Sequence, residues 1–165
     1  MTAALKTLHE YQCLSRQQHE PDVSLEALEK ISRGKGAMAH LTLVTLTKPH
    51  LDAGERDLVL ALGEAFQSLD DYADVAVDTS NGVATLATAG MLTLADVVAQ
   101  MGVLRSALLR QYGAAATRRF YGLVYLMLLT SIAGRRLPAL GAVARRISGK
   151  TAVYAVLARG AEVET

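Results

Sequence analysis

The sequence predicts an all-α fold: one domain over residues 1–165, built as a helical bundle of about six helices. Apolar positions recur at helical spacing nearly everywhere, and no long alternating pattern of the kind a half-buried strand needs is present. Apolar residues make up 51% of the chain but aromatics only 5%, with no Trp and an abundance of Ala and Leu. That composition favours helix over sheet. Proline occurs three times, at positions 21, 49 and 138, so long stretches are free of helix breakers. A chain of 165 residues is of ordinary domain size and long enough to bury a substantial core.

The first helix is expected over about 2–18, stopping before Pro21. A second starts at Ser24 as N-cap and runs to about Thr47, ahead of Pro49. Asp52 followed by Glu55 has the form of a capping box and opens a third helix, which ends before the turn signal Asn81-Gly82. A loop containing glycine and threonine follows to about Leu92. Thr93 with Asp96 marks the start of a fourth helix reaching about Gln111. A fifth is expected over about 115–134 and a sixth over about 138–158, with Pro138 near its first turn and a frayed tail beyond Gly160.

The formal net charge of +1 conceals an asymmetry. Residues 1–82 hold 7 Lys/Arg against 13 Asp/Glu, and residues 83–165 hold 10 against 3. All four His fall in the acidic half. A carboxylate pole facing an arginine pole suits a metal-bound anion between them; it equally suits two halves that pair with each other, or a basic face that meets a partner. Nucleic acid is not expected, because the Arg pairs come without interleaved aromatics or a known motif. Cys13 is the only cysteine, which excludes a disulfide framework and a Cys-based zinc site. With no basic-then-apolar leader pattern at the N-terminus, a cytoplasmic location is expected. Residues 120–134 form the most apolar window, bracketed by Arg118-Arg119 and Arg135-Arg136. It is short of the roughly 20 residues a bilayer span needs, so a core helix is expected, with at most peripheral membrane contact.

The third helix carries the sharpest signal. Between Phe66 and Asp78 it places four carboxylates, Asp70, Asp71, Asp74 and Asp78, on an otherwise apolar helix. At 100° per residue, Asp70, Asp74 and Asp78 fall within about 80° of one another, and Asp71 lies about 20° further round. Leu62, Phe66, Leu69, Ala73 and Ala76 make the adjoining face. Like charges four residues apart repel by roughly 0.2–0.5 kcal/mol per pair, and Asp is a poor helix former. A cation reverses that penalty, and oxygen-only donors at this spacing suit Mg²⁺, which is often shared between carboxylates and phosphates. The other reading is an acidic, solvated helix face. The bordering apolar stripe and the absence of interleaved Lys or Arg favour the metal.

The second helix holds another anomaly. Leu28, Ile31, Met38, Ala39, Thr42 and Leu46 define its inner face, and Lys35 sits near the centre of that arc. A buried ammonium is costly unless it meets an anion. Gly34 and Gly36 flank it, as if making room for something to approach. A diphosphate fits, since Lys acts on phosphate as a compact point charge. Equally consistent are a Lys35 that snorkels to the surface and one that pairs with an aspartate.

In this order, these residues resemble the C-terminal half of class I isoprenyl diphosphate synthases, the all-α polyprenyl synthetase family related to class I terpene synthases. Cys13-Leu14-Ser15-Arg16-Gln17-Gln18 with Asp22 resembles the family's Gln-containing segment. Residues 23–37, with Lys35, resemble the helix that presents a diphosphate-binding lysine. Residues 62–75, with Asp70-Asp71-Tyr72-Ala73-Asp74, resemble the second aspartate-rich motif, and residues 82–87 the short segment that follows it. The resemblance covers about residues 10–90 and implies half of the isoprenoid synthase fold. It implies that Asp70, Asp71 and Asp74 coordinate Mg²⁺ bridging to an isoprenyl diphosphate, that Lys35 contacts the diphosphate, and that Gln67 is a hydrogen-bonding neighbour. The chemistry implied is ionisation of an allylic diphosphate, then elongation or cyclisation.

Three features depart from the family pattern. Only one acidic motif is present where two face each other in the family, Gly36 stands in place of the usual Thr, and Asn81-Gly82-Val83 lacks the expected basic residue. Activity is therefore expected only when a missing N-terminal half, or a partner chain in a homo- or hetero-oligomer, supplies the first aspartate-rich motif. Two alternatives are a non-catalytic subunit of a prenyl synthase and a helical protein-interaction module whose acidic patch binds a basic partner.

Overall fold

The computed structural model describes residues 2–136, all helix, turn and loop with no strand among them. Five α-helices lie in this span: α1 (Thr2–Leu14), α2 (Leu25–Thr47), α3 (Ala53–Ala73), α4 (Val75–Ser80) and α5 (Leu94–Arg136), with a 3₁₀ turn at Ser15–His19. The helix expected over 138–158 and the frayed tail lie outside the described residues. Contacts divide the chain into two compact units, Met1–Arg119 and Phe120–Thr165.

Helix starts follow the local chemistry. The Ser24 hydroxyl accepts from the Ala27 N–H at 3.1 Å and caps α2. Asp52 and Glu55 form the full capping box of α3: Asp52 accepts from the Glu55 N–H at 2.8 Å, and Glu55 accepts from the Asp52 N–H at 3.3 Å. Lys48 completes that corner by donating to the buried Glu55 carboxylate, a contact that raises the lysine's proton affinity. Thr93 and Asp96 exchange the same pair of bonds at the start of α5.

Helix ends depart from expectation at two places. The first helix stops at Leu14 and tightens into the 3₁₀ turn, where the Ser15 hydroxyl donates to the Gln12 carbonyl at 2.8 Å and draws off a last-turn acceptor. The third helix is not continuous to residue 80. Asp74 leaves helical geometry at φ −93°, ψ 7°, and separates α3 from α4. Ladder bonds from Asp74 to Asp70 and from Asp78 to Asp74 survive, so the acidic row bends without breaking. Within α5, Gly113 at φ 77°, ψ 178° interrupts the helix where the fourth and fifth were expected to part. Those angles belong to a region only glycine occupies readily.

In the first unit α2 packs on both α1 and α3. That double role shifts the inner face of α2 from the expected one. Leu28, Ile31, Ser32, Gly34, Gly36, Ala37 and Leu41 are buried, while Leu46 stands 60% exposed. Gly34 and Gly36 make room for the fold itself, not for a ligand. A Cβ on Gly34 would fall inside the Tyr11 ring of α1. A Cβ on Gly36 would strike the Gly63 carbonyl of α3 and lie 2.6 Å from the Gln67 Cβ, and one on Gly63 would strike the Gly36 carbonyl. The two helices thus cross backbone to backbone at Gly36 and Gly63. Beside this crossing His40 lies 5.6 Å from Phe66, ring to ring, and burial pushes its imidazole's proton affinity down. Along the first part of α5, Val97, Met101, Leu104 and Leu108 are buried at helical spacing.

In the second unit, described from Phe120 to Arg136, Tyr121, Val124 and Leu128 are buried. Leu123, Tyr125, Leu126 and Leu129 are exposed, so this apolar segment is a core helix on one face only. Among the described residues no helix is long and apolar enough to cross a membrane.

Candidate functional site

The close crossing of α2 and α3 sets the geometry of their ends. One turn from Gly36, Ser32 donates its hydroxyl to the Asp71 carboxylate at 2.8 Å, across the helix pair. From one turn earlier on α3, the Gln67 amide donates to the other Asp71 oxygen at 2.7 Å. Asp71 is buried, 6% exposed, with one donor on each oxygen. It joins the two helices and fixes the Gln67 amide beside it.

On the far side of this joint the chain closes back on itself. Gln18, buried in the 3₁₀ turn, donates its side-chain amide to the Ala84 carbonyl at 2.9 Å, and the Ala84 N–H donates to the Gln18 carbonyl at 2.7 Å. These two bonds join the loop after α4 to the segment before α2. The loop is stiffened internally, where Thr88 accepts from the Thr85 N–H at 2.8 Å and Thr85 accepts from the Thr88 N–H at 3.1 Å.

A cavity of about 80 Å³ lies between these elements, lined by Gln18, Lys35, Gln67, Asp70, Asp71, Asp74, Asp78, Val83 and Thr85. It has room for several waters, or for a hydrated ion. All five residues singled out from the sequence, Lys35, Gln67, Asp70, Asp71 and Asp74, line it. Asp78, the fourth carboxylate of the acidic row, and Gln18, from the Gln-containing segment, line it too, and Val83 and Thr85 join them. Asp78 had a signal, since it continues the i, i+4 row of Asp70 and Asp74. The Gln18 segment was noted for its order in the chain, but its bond to Ala84 spans 66 residues and left no local trace.

Among the described residues, one lysine and four aspartates line the cavity. Burial raises the proton affinity of Asp71, the bonds from Gln67 and Ser32 and the charge of Lys35 oppose that rise, and Asp74 adds to it. Asp78 is raised as well, first by burial and then by the charges of Asp71 and Asp74, with Lys35 again opposing. Lys35 is half-buried and enters no ion pair within 4.0 Å among the described residues. It acts on the aspartates across the cavity instead of in contact with them. Asp70 and Asp74 are exposed at the rim. Among the described residues no three His, Cys, Asp or Glu side chains converge closely enough to hold a metal ion by themselves.

No family model matches the chain, and no curated protein or solved structure does so either.

Proposed function

We propose that this cavity binds Mg²⁺ together with an isoprenyl diphosphate, the chain serving as the C-terminal half of a class I prenyl synthase or terpene synthase. The first aspartate-rich motif such chemistry needs would come from outside residues 1–165. The observation that carries the reading is one cavity lined by a lysine, four aspartates and two glutamines, drawn from four separate segments. The donor set fits a hard cation, since every anionic group is a carboxylate. Mg²⁺ is usually held by one or two carboxylates with waters and phosphate oxygens, so a cage of three protein ligands is not required.

Asp70 and Asp74, exposed at the rim, would hold the ion, with Asp78 behind them. Asp71, engaged by Ser32 and Gln67, would orient these groups and keep one lone pair on each oxygen for the cavity. Lys35 would meet the diphosphate oxygens as a positive charge that grows more favourable as the leaving group gains charge. Gln67 retains a second N–H and its carbonyl oxygen for hydrogen bonds to the same group. When bound, the cation supplies Lewis-acid stabilisation of the departing diphosphate.

The test is calorimetric titration of geranyl diphosphate in the presence of Mg²⁺. Lys35→Gln, and Asp70→Asn combined with Asp74→Asn, should each weaken binding by about tenfold or more, a difference of about 1.4 kcal/mol. Unchanged affinity in variants that keep their helical circular dichroism overturns the assignment.

A second reading, a non-catalytic subunit paired with a complete synthase, is favoured by the single acidic motif. Co-purification with a helical chain that carries two such motifs supports it over the first.

A further inference from the structure

The helix over residues 114–136 leaves a run of large apolar side chains in the open. Opposite the buried Tyr121, Val124 and Leu128 stand Leu123, Tyr125, Leu126 and Leu129, with Leu126 57% and Leu129 63% exposed. At 100° per residue these four cover an arc of about 160°. Single exposed apolar residues are ordinary, whereas a contiguous run marks a surface that meets something.

Charge indicates what that is. From residue 97 to residue 136 the chain carries six arginines, at 105, 110, 118, 119, 135 and 136, and no Asp or Glu. Two of them precede the apolar run in sequence and two follow it. A second copy of the chain docked on this face by two-fold symmetry would bring arginine-rich segments together with no carboxylate among them. An anionic lipid surface satisfies both features at once. Leucine and tyrosine side chains enter the boundary between headgroups and acyl chains, while arginines reach the lipid phosphates. The segment is not long and apolar enough to cross a bilayer, so it would lie along the surface.

We propose that this helix docks on the surface of an anionic lipid bilayer, with Leu123, Tyr125, Leu126 and Leu129 in the headgroup boundary and the exposed Arg118 and Arg119 that precede them on lipid phosphates. The proposal is independent of the cavity between α2 and α3.

Co-sedimentation of the full chain with vesicles tests it. Binding is expected to equimolar phosphatidylglycerol and phosphatidylcholine vesicles, with little to phosphatidylcholine alone, and it should weaken as salt is raised. L126D combined with L129D should reduce partitioning by about tenfold or more. L46D, at an exposed leucine on α2, should leave it unchanged. The comparison of vesicle composition and salt needs no variant, so a misfolded double mutant does not shelter the proposal. Absence of binding to the anionic vesicles, equal binding to both kinds, or unaltered binding by folded L126D/L129D overturns it. A stable dimer in free solution that the same pair of substitutions dissociates overturns it as well.

Discussion

Asp71 is the residue on which the two central helices meet. Its carboxyl is raised chiefly by burial, against the bonds from Gln67 and Ser32 and the charge of Lys35. A carboxyl that binds its proton more tightly in the folded state contributes stability that is complete below its unfolded value of about 3.9. That contribution is lost as pH rises through the raised folded value. Asn at this position removes the term while keeping an acceptor for one of the two donors. The wild type should therefore gain stability relative to Asp71→Asn as pH falls from neutral through the carboxylate range, measured by urea denaturation at a series of pH values. A gap between the two proteins that stays constant with pH would refute this. Lys35 and the aspartate row could be read from the sequence because helical spacing alone sets which residues share a face. The partners of Asp71 could be read only in part. Gln67 lies one turn away on the same helix, whereas Ser32 comes from another helix whose contact is fixed by how α2 and α3 cross.

At the scale of elements, the helix starts were legible and the crossings were not. Ser24, Asp52 with Glu55, and Thr93 with Asp96 cap through bonds that span three residues, so sequence contains all the information they need. The bend at Asp74 and the shifted face of α2 depend on packing partners that a periodic pattern does not name. Gly34 and Gly36 illustrate the point, since a glycine beside a lysine suggests room for a ligand and the room is taken by Tyr11 and by the Gly63 backbone. The consequence is testable. Alanine is favoured over glycine by about 1 kcal/mol in a helix interior, but at Gly36 or Gly63 the new methyl meets a carbonyl that cannot give way. Gly36→Ala and Gly63→Ala should each destabilise the protein by about 1–3 kcal/mol in chemical denaturation, as overpacked cores do. At Gly102 and Gly122 on α5 a methyl meets nothing within 4 Å, so Ala there should stabilise by about 0.4–1 kcal/mol. Equal effects at all four sites would mean that the α2–α3 crossing is looser than described.

For the whole molecule, the uneven charge of the chain takes on spatial meaning. Four of the 13 carboxylates in residues 1–82 line one cavity with a lysine opposite, and the arginines of α5 fall on a segment that carries no acid after Asp96. The all-α class was legible from composition and period, and the ordered series of Gln, Lys and Asp segments pointed to residues that the fold does gather. The paired bonds between Gln18 and Ala84, which bring the 3₁₀ turn beside the loop after α4, join segments far apart in sequence and were out of reach of local pattern. We propose that the cavity takes a cation and a diphosphate as mutually dependent ligands. If it does, each must raise the other's affinity by the same factor, because coupling between two bound ligands is reciprocal. The most direct measurement is calorimetric titration of Mg²⁺ into the wild-type chain with and without geranyl diphosphate, paired with the reverse titration. Each ligand should tighten the other by an equal factor of about five or more. Independent binding of the two, or no binding of the diphosphate at saturating Mg²⁺, would contradict it.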